Sequence, residues 1–257
     1  MSTIVALTRE PARVLEACEL TYREREPIDG TVAAAQHRGY CEALRACGAR
    51  VVTLPAVEEF PDSVFVEDTA VVLEELAVLT RPGVESRRGE VVLIEAEVAR
   101  LRPVVRVEPP ATLEGGDVLR LGRTLYVGLS PRTNAAGADA LRRLAAPHGY
   151  EVVTVEPQGC LHLKTGCSAL DDETVLVNPD WVDAEVFRGR EVVHVDASEP
   201  WAANVLHVNG SVCVSAAFPR TAEALAALGY DVHAVDVSEY AKAEGGLTCM
   251  SLLFKQT

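Results

Sequence analysis

The chain has 257 residues, 48% of them apolar and 24% charged, and a net charge of −14. That length supplies ample buried core and the composition is that of a globular protein. The acidic balance argues against nucleic acid, whose binders need a basic stripe for phosphate; the longest basic cluster, at 86–90, holds only Arg87 and Arg88.

No apolar run approaches the ~18 residues of a membrane helix, so no membrane association is expected. The opening MSTIVALTRE has no basic start and meets Arg9 and Glu10 too early for a secretory signal. The seven cysteines, at 18, 41, 47, 160, 167, 213 and 249, are odd in number and none are spaced as Cys-x2-Cys. A reducing cytoplasm without a disulfide framework or zinc site is the expectation. Each cysteine is by default a small core residue.

In chain order, residues 3–8 (TIVALT) read as a strand, 31–48 as a helix and 50–54 (RVVTL) as a second strand. FPDSVFVEDTA at 60–70 then gathers Asp62, Glu67 and Asp68 around Val64, Phe65 and Val66. Two readings stay open: ordinary loop carboxylates, or a cation site, since clustered carboxylates cost free energy unless a cation compensates them. If a strand runs through them, alternation sends Glu67 and Asp68 to opposite faces.

Residues 69–107 read as hairpin, helix and strand. LEGGDVL at 113–119 places Glu114 before Gly115-Gly116, a pair suited to a sharp turn or a close approach. From 116 to 155 the order recurs: a hairpin at Gly122-Arg123, a helix opened by Pro131-Arg132-Thr133 and ended at Gly149, then the strand EVVTV. His162 follows between leucines in CLHLKTGC, either a satisfied partly buried histidine or a reactive one. Residues 167–195 repeat the order with a shorter helix. Residues 204–237 repeat it again, with a hairpin on Asn209-Gly210 and Pro219-Arg220-Thr221 opening the helix. Finally AEGGLTCMSLLF, 243–254, carries a second Glu-Gly-Gly and Cys249 in an apolar stretch that reads as a strand.

Four such units, and a fifth built by pairing the C-terminal strand with residues 3–8, predict a five-bladed, pseudo-symmetric α/β propeller of hairpin–helix–strand repeats over residues 1–257 as a single domain. Strands shared between the termini would close the ring and remove exposed edges. The competing arrangement is an ordinary mixed α/β sheet. In a ring, ligands sit at the central channel, and unit starts would carry Glu114, His162 and Cys249 to it. A nucleophilic cysteine needs a base or cation beside it; His162 would be that neighbour and Glu114 would orient the imidazole.

The ordered series FPDSVFVED, TRPGVESRRGE, LEGGDVL, RTNAAG, LHLKTG, PRT and EGGLTCMSL resembles the dimethylarginine dimethylaminohydrolase family of guanidine-modifying propeller enzymes over nearly the whole chain. The resemblance implies Cys249 as nucleophile, His162 as acid and base, and Glu114 as its acidic partner. It implies hydrolysis of Nω-methylated arginine to citrulline and methylamine or dimethylamine through a covalent thiouronium, without metal or organic cofactor. It further implies Glu67 and Asp68 on the guanidinium, Arg87 and Arg132 on the substrate α-carboxylate, Asp62 and the Ala243 carbonyl on the α-amino group, and Leu20 in a lid. Arg220, the repeat's counterpart of Arg132, is expected on the surface. The lid, 18–30, is denser in charge than the family pattern suggests. The partner is thus a small cationic amino acid, and a homodimer is compatible with this reading. Two alternatives are an arginine deiminase or dihydrolase acting on unmethylated arginine, and a non-catalytic binding module on the same ring.

Overall fold

A computed structural model describes residues 3–256. Five separate three-stranded sheets succeed one another along the chain. The first takes β1 (Ile4–Arg9) and β2 (Arg50–Leu54), joined by the helix α1 (Gly30–Ala46). The second holds β3 (Ala70–Val72), β4 (Ala77–Leu79) and β5 (Val104–Arg106), with α2 (Arg88–Leu101) between the last two. β6 (Val118–Leu121), β7 (Thr124–Gly128), α3 (Ala135–Ala145) and β8 (Glu151–Val155) make the third. The one-turn helix α4 (Leu163–Gly166) leads into the fourth: β9 (Cys167–Ala169), β10 (Thr174–Val177) and β11 (Glu191–His194). β12 (Leu206–Val208), β13 (Ser211–Ser215), α5 (Pro219–Ala227) and β14 (Asp231–Val235) form the fifth. After α6 (Ser238–Lys242) the chain returns as β15 (Leu252–Lys255) to complete the first sheet.

Each sheet has the same internal order. An inner strand runs antiparallel to a middle strand, which runs parallel to an outer one; Leu7 faces Leu252 across the first contact and Ala6 faces Val51 across the second. The parallel partners are joined by a crossover, as parallel strands require, and it is helical in all five sheets, though only a short 3-10 turn at Ala184–Phe187 in the fourth. The predicted propeller and its closure by the terminal strands are both present.

Five hydrophobic clusters hold the ring, one between each pair of adjacent sheets. Val5, Leu7, Leu252 and Phe254 pack on Ala70, Leu79 and Ile94. Val71, Val78 and Val107 pack on Val118, Val127 and Leu141. Leu121 and Tyr126 meet Val175, Val177 and Phe187; Leu176 meets Val212, Val214 and Leu225; Leu206, Val208 and Cys213 meet Ala6, Tyr40 and Leu44. Strand alternation explains this sharing: Val212 and Val214 face one neighbour and Cys213 the other. The middle strand of each blade is buried on both faces, so strands such as TVLV and SVCVS read as near-continuous apolar runs, while the outer strands stay partly exposed. Six cysteines lie in this core, and Cys249 is the exception with intermediate exposure.

Candidate active site

In four blades a short turn delivers chemistry just before the inner strand. Val66–Thr69 precedes β3 and carries Glu67 and Asp68; Gly115–Asp117 precedes β6 and is entered by Glu114; α4 precedes β9 and is entered by His162. Thr248–Met250 precedes β15 and carries Cys249. Two expectations are corrected here. The strand through Glu67 and Asp68 is a 3-10 turn, and Cys249 lies in such a turn ahead of the strand, not within it. The turns tilt side chains inward at the channel mouth instead of along a sheet face.

Asp68, Glu114 and His162 come together, with ligand-type atoms within 4.8 Å of one another. His162 Nε2 lies 2.7 Å from Glu114 Oε2 and 3.9 Å from Asp68 Oδ1, all three residues being buried. This triad has metal-ligand chemistry, but Arg87 Nη1 already lies 2.8 Å from Asp68 and Arg132 Nη1 3.6 Å from Glu114. Those cations neutralise the charge that a metal would need. Glu67 points elsewhere: Lys164 Nζ donates to it at 2.6 Å and Thr248 Oγ1 at 2.6 Å.

Electrostatics divides the roles. Burial disfavours the imidazolium of His162, yet Asp68, Asp117 and Glu114 outweigh it and hold the proton up to about 9. Burial works against Asp68 too, but His162 and Arg87 hold its carboxyl down to about 2. The Cys249 thiol is pushed up to about 12, by burial first and then by Glu67 and Asp68. Among the described residues Sγ accepts one hydrogen bond, from Gly246 N–H at 3.3 Å, and none from His162. The sulfur therefore awaits a positive charge before it ionises.

The remaining expected residues surround this core. Asp62 is buried and accepts from Glu19 N–H at 3.1 Å. Ala243 is buried, and among the described residues no hydrogen bond reaches its carbonyl. Arg132 donates to Thr21 Oγ1 at 3.1 Å. Arg87 is the most engaged: it bonds Asp68 and Glu90, and reaches the carbonyls of Asp62 and Phe65 only at 3.5 Å. Leu20 and Cys249 both pack, partly buried, against the cluster that holds Phe65 and Ala243, and the 18–30 segment is tied to site residues through Asp62 and Arg132. Its charges are used locally, Arg25 on the Cys18 carbonyl and Arg23 over the Trp201 ring at 4.6 Å.

Of the two readings left open for Gly115-Gly116, the structure shows the sharp turn, and both Glu-Gly-Gly stretches pack tightly against the protein's own side chains. A side chain at Gly116 would meet His162 Nδ1 at 2.7 Å, and one at Gly246 would meet Asn204 Oδ1 at 2.4 Å. Asn204 is a site residue that the sequence reading missed; it accepts from Thr248 N–H and donates to Thr248 Oγ1 and the Lys164 carbonyl. Lys164, Asp117 and Glu90 were missed as well. Asp117 stood inside LEGGDVL, and only the fold shows it accepting from Ser130 and Leu163 N–H behind His162. Beyond the site a cavity of about 520 Å³ runs along the inner strands; Glu67, Lys164 and Thr248 line it, and Cys249, His162 and Glu114 do not. The Glu67–Lys164 pair is thus the floor between channel and site.

A family model described as N,N dimethylarginine dimethylhydrolase, eukaryotic, matches residues 16–252. The chain is 42% identical to the N(G),N(G)-dimethylarginine dimethylaminohydrolase of Pseudomonas aeruginosa over 250 residues, 96% of this chain and 98% of that one. It is 42% identical to the enzyme of the same name from Streptomyces coelicolor over 253 residues, 98% of this chain and 97% of that one. A crystal structure of the Pseudomonas aeruginosa protein, a cysteine-to-serine variant complexed with citrulline, superposes with a TM-score of 0.94 at 41% identity, covering 99% of this chain and 100% of that one. With its five blades and the Asp68–Glu114–His162 cluster beside Cys249, this chain belongs to the dimethylarginine dimethylaminohydrolase family.

Proposed function

We propose that this chain hydrolyses Nω-methylated arginine to citrulline and dimethylamine or methylamine. The observation that carries the proposal is a buried excess of acid around a high-pKa thiol. Asp62, Glu67, Asp68, Glu90, Glu114 and Asp117 stand against Arg87, Arg132, Lys164 and His162. A cationic guanidinium completes that balance and, next to Cys249, makes the thiolate affordable.

In this reading Glu67 and Asp68 hold the guanidinium, and Glu67 exchanges part of its contact with Lys164 for the substrate. As the cationic substrate binds, Cys249 releases its proton to solvent, and the thiolate Sγ attacks the guanidinium carbon, giving a tetrahedral adduct. His162, protonated at neutral pH and steadied by Glu114, gives its proton to the departing amine nitrogen. The neutral imidazole then takes a proton from the water that attacks the thiouronium, and cysteine leaves as citrulline forms. Arg132 takes the α-carboxylate, a task suited to a planar donor pair. Arg87 joins it by giving up its two 3.5 Å carbonyl contacts. Asp62, the free Ala243 carbonyl and the lid at Leu20 receive the α-amino end.

The test is product identification with asymmetric dimethylarginine, monomethylarginine and arginine side by side. Citrulline with dimethylamine or methylamine is expected from the methylated substrates, and Cys249→Ser should abolish it. Ammonia from arginine at a much faster rate would replace this reading with an arginine dihydrolase. The proposal extends to a single-domain cytoplasmic enzyme, in keeping with seven free cysteines. A homodimer fits the proposal and is read directly by light scattering.

A further inference from the structure

Glu244, the acid of the second Glu-Gly-Gly, has no part in the chemistry above. It follows α6 and Ala243, and its backbone is left-handed, with φ of 57°. Residues bearing a Cβ are disfavoured there, and glycine is the usual occupant. The next two residues are glycines because a Cβ there would meet Phe65 at 2.3 Å or Asn204 at 2.4 Å, so Glu244 holds the one position of the three open to a side chain, although its backbone is left-handed.

Its side chain explains the choice. One carboxylate accepts three successive backbone N–H groups of the lid: Thr21 at 2.9 Å on one oxygen, Tyr22 and Arg23 at 2.5 Å each on the other. Consecutive amides converging on an anion form a nest, and the bonds are charge-assisted. Besides the Ser86 Oγ–Glu19 Oε1 bond, the lid has two ties to the expected substrate-binding residues: Glu19 N–H donates to Asp62, and Arg132 donates to Thr21 Oγ1. Both of those partners belong to the groups assigned above to the substrate's α-amino and α-carboxylate ends. A bound substrate competes for them and leaves the Glu244 nest untouched.

We propose that Glu244 is a positioning residue that latches the lid over Cys249 while substrate occupies Asp62 and Arg132. The inference rests on the functional reading above for what those two residues bind. It makes Ala243–Glu244 a two-sided junction: the Ala243 carbonyl faces the substrate's amino group and the Glu244 carboxylate holds the roof. Five residues later the same segment presents the nucleophile.

The test uses the full chain with Glu244→Gly and Glu244→Gln, and exposed Glu26→Gln as control. Glycine relieves the left-handed backbone while deleting the carboxylate, so lid exchange and turnover are read together on Glu244→Gly, not stability alone. Its Thr21–Arg23 amides should exchange hydrogen at least about tenfold faster, and kcat/KM on asymmetric dimethylarginine should fall at least about tenfold, chiefly through KM. Glu244→Gln, with an uncharged acceptor, should fall between, and Glu26→Gln should match wild type. Wild-type exchange at Thr21–Arg23 in Glu244→Gly, or faster exchange with kcat/KM within about twofold of wild type, overturns the latch. A wild-type protein inactive on every methylarginine overturns the functional reading instead, and the exchange measurement then decides the latch by itself.

Discussion

His162 is where the site's charges meet, and its protonation is an arithmetic of neighbours. Burial pulls toward the neutral ring; Asp68, Asp117 and Glu114 push back and hold the proton up to about 9, against an ordinary value of about 6.5. A raised value means that the group's stabilisation is complete below about 6.5 and is lost as pH climbs through 9. Asp68 has the opposite sign: held down to about 2, it contributes above about 4 and loses that contribution as pH falls toward 2. Glu114→Gln keeps the shape and removes one of the three opposing charges. The His162 titration, followed by NMR of the imidazole, should then fall relative to the parent, because burial is opposed by Asp68 and Asp117 alone. The alkaline fall of kcat/KM should move down with it. A titration unchanged from the parent in the variant would show that the carboxylate of Glu114 contributes no field.

The turns that precede the inner strands are the elements that matter, and they were the least legible in the sequence. Strands and helices announced themselves through apolar runs and three-to-four-residue periodicity, and the repeat gave the ring. The short turns have no periodicity to read, so Glu67 and Asp68 appeared to lie on a strand. Pro-Arg-Thr shows the same limit. At 219–221 it opens α5, as expected, and Arg220 is exposed near Asp196. At 131–133 it is a bend, Asn134 caps α3 instead, and the bend frees Arg132 to turn inward to Glu114. One tripeptide thus yields a surface arginine and a site arginine, because a side-chain acceptor three residues before Gly137 claims the helix start. The Gly115–Asp117 turn offers the sharpest test of its element. Gly116→Ala sets a methyl group 2.7 Å from His162 Nδ1 and 2.8 Å from Asp68 Oδ1. Overpacking of this kind costs about 1–3 kcal/mol, and a displacement near 1 Å at the reacting groups costs about 100-fold in rate. The expected variant is folded, modestly less stable and about 100-fold slower. Turnover at the wild-type rate would mean that the histidine is not held where the geometry places it.

Taken as a ring, the molecule has five seams, and each inter-blade cluster draws on both neighbours; the chain ends lie inside the first sheet, not in a seam. The ends occupy a specific place: between inner strand β15 and middle strand β1, where every other blade has its hairpin turn. Gln256 N–H reaches the Thr3 carbonyl at 2.9 Å, so a short hairpin linker spans the gap. The Asn209–Gly210 turn is exposed, and its break would reproduce the natural ends in the fifth blade. A permutant that joins Gln256 to Thr3 and opens at Asn209–Gly210 should therefore fold cooperatively, melt within a few degrees of the parent and keep its turnover, since every cluster and every site turn is retained. Deleting residues 252–257 is the contrasting change. It removes Leu252 and Phe254 from their cluster and leaves β1 with an unpaired edge. That protein should lose the cooperative transition in calorimetry, because one missing inner strand opens the ring and exposes two blades at once. A cooperative, active deletion variant would mean that the four remaining seams suffice and that closure is not what holds the site together.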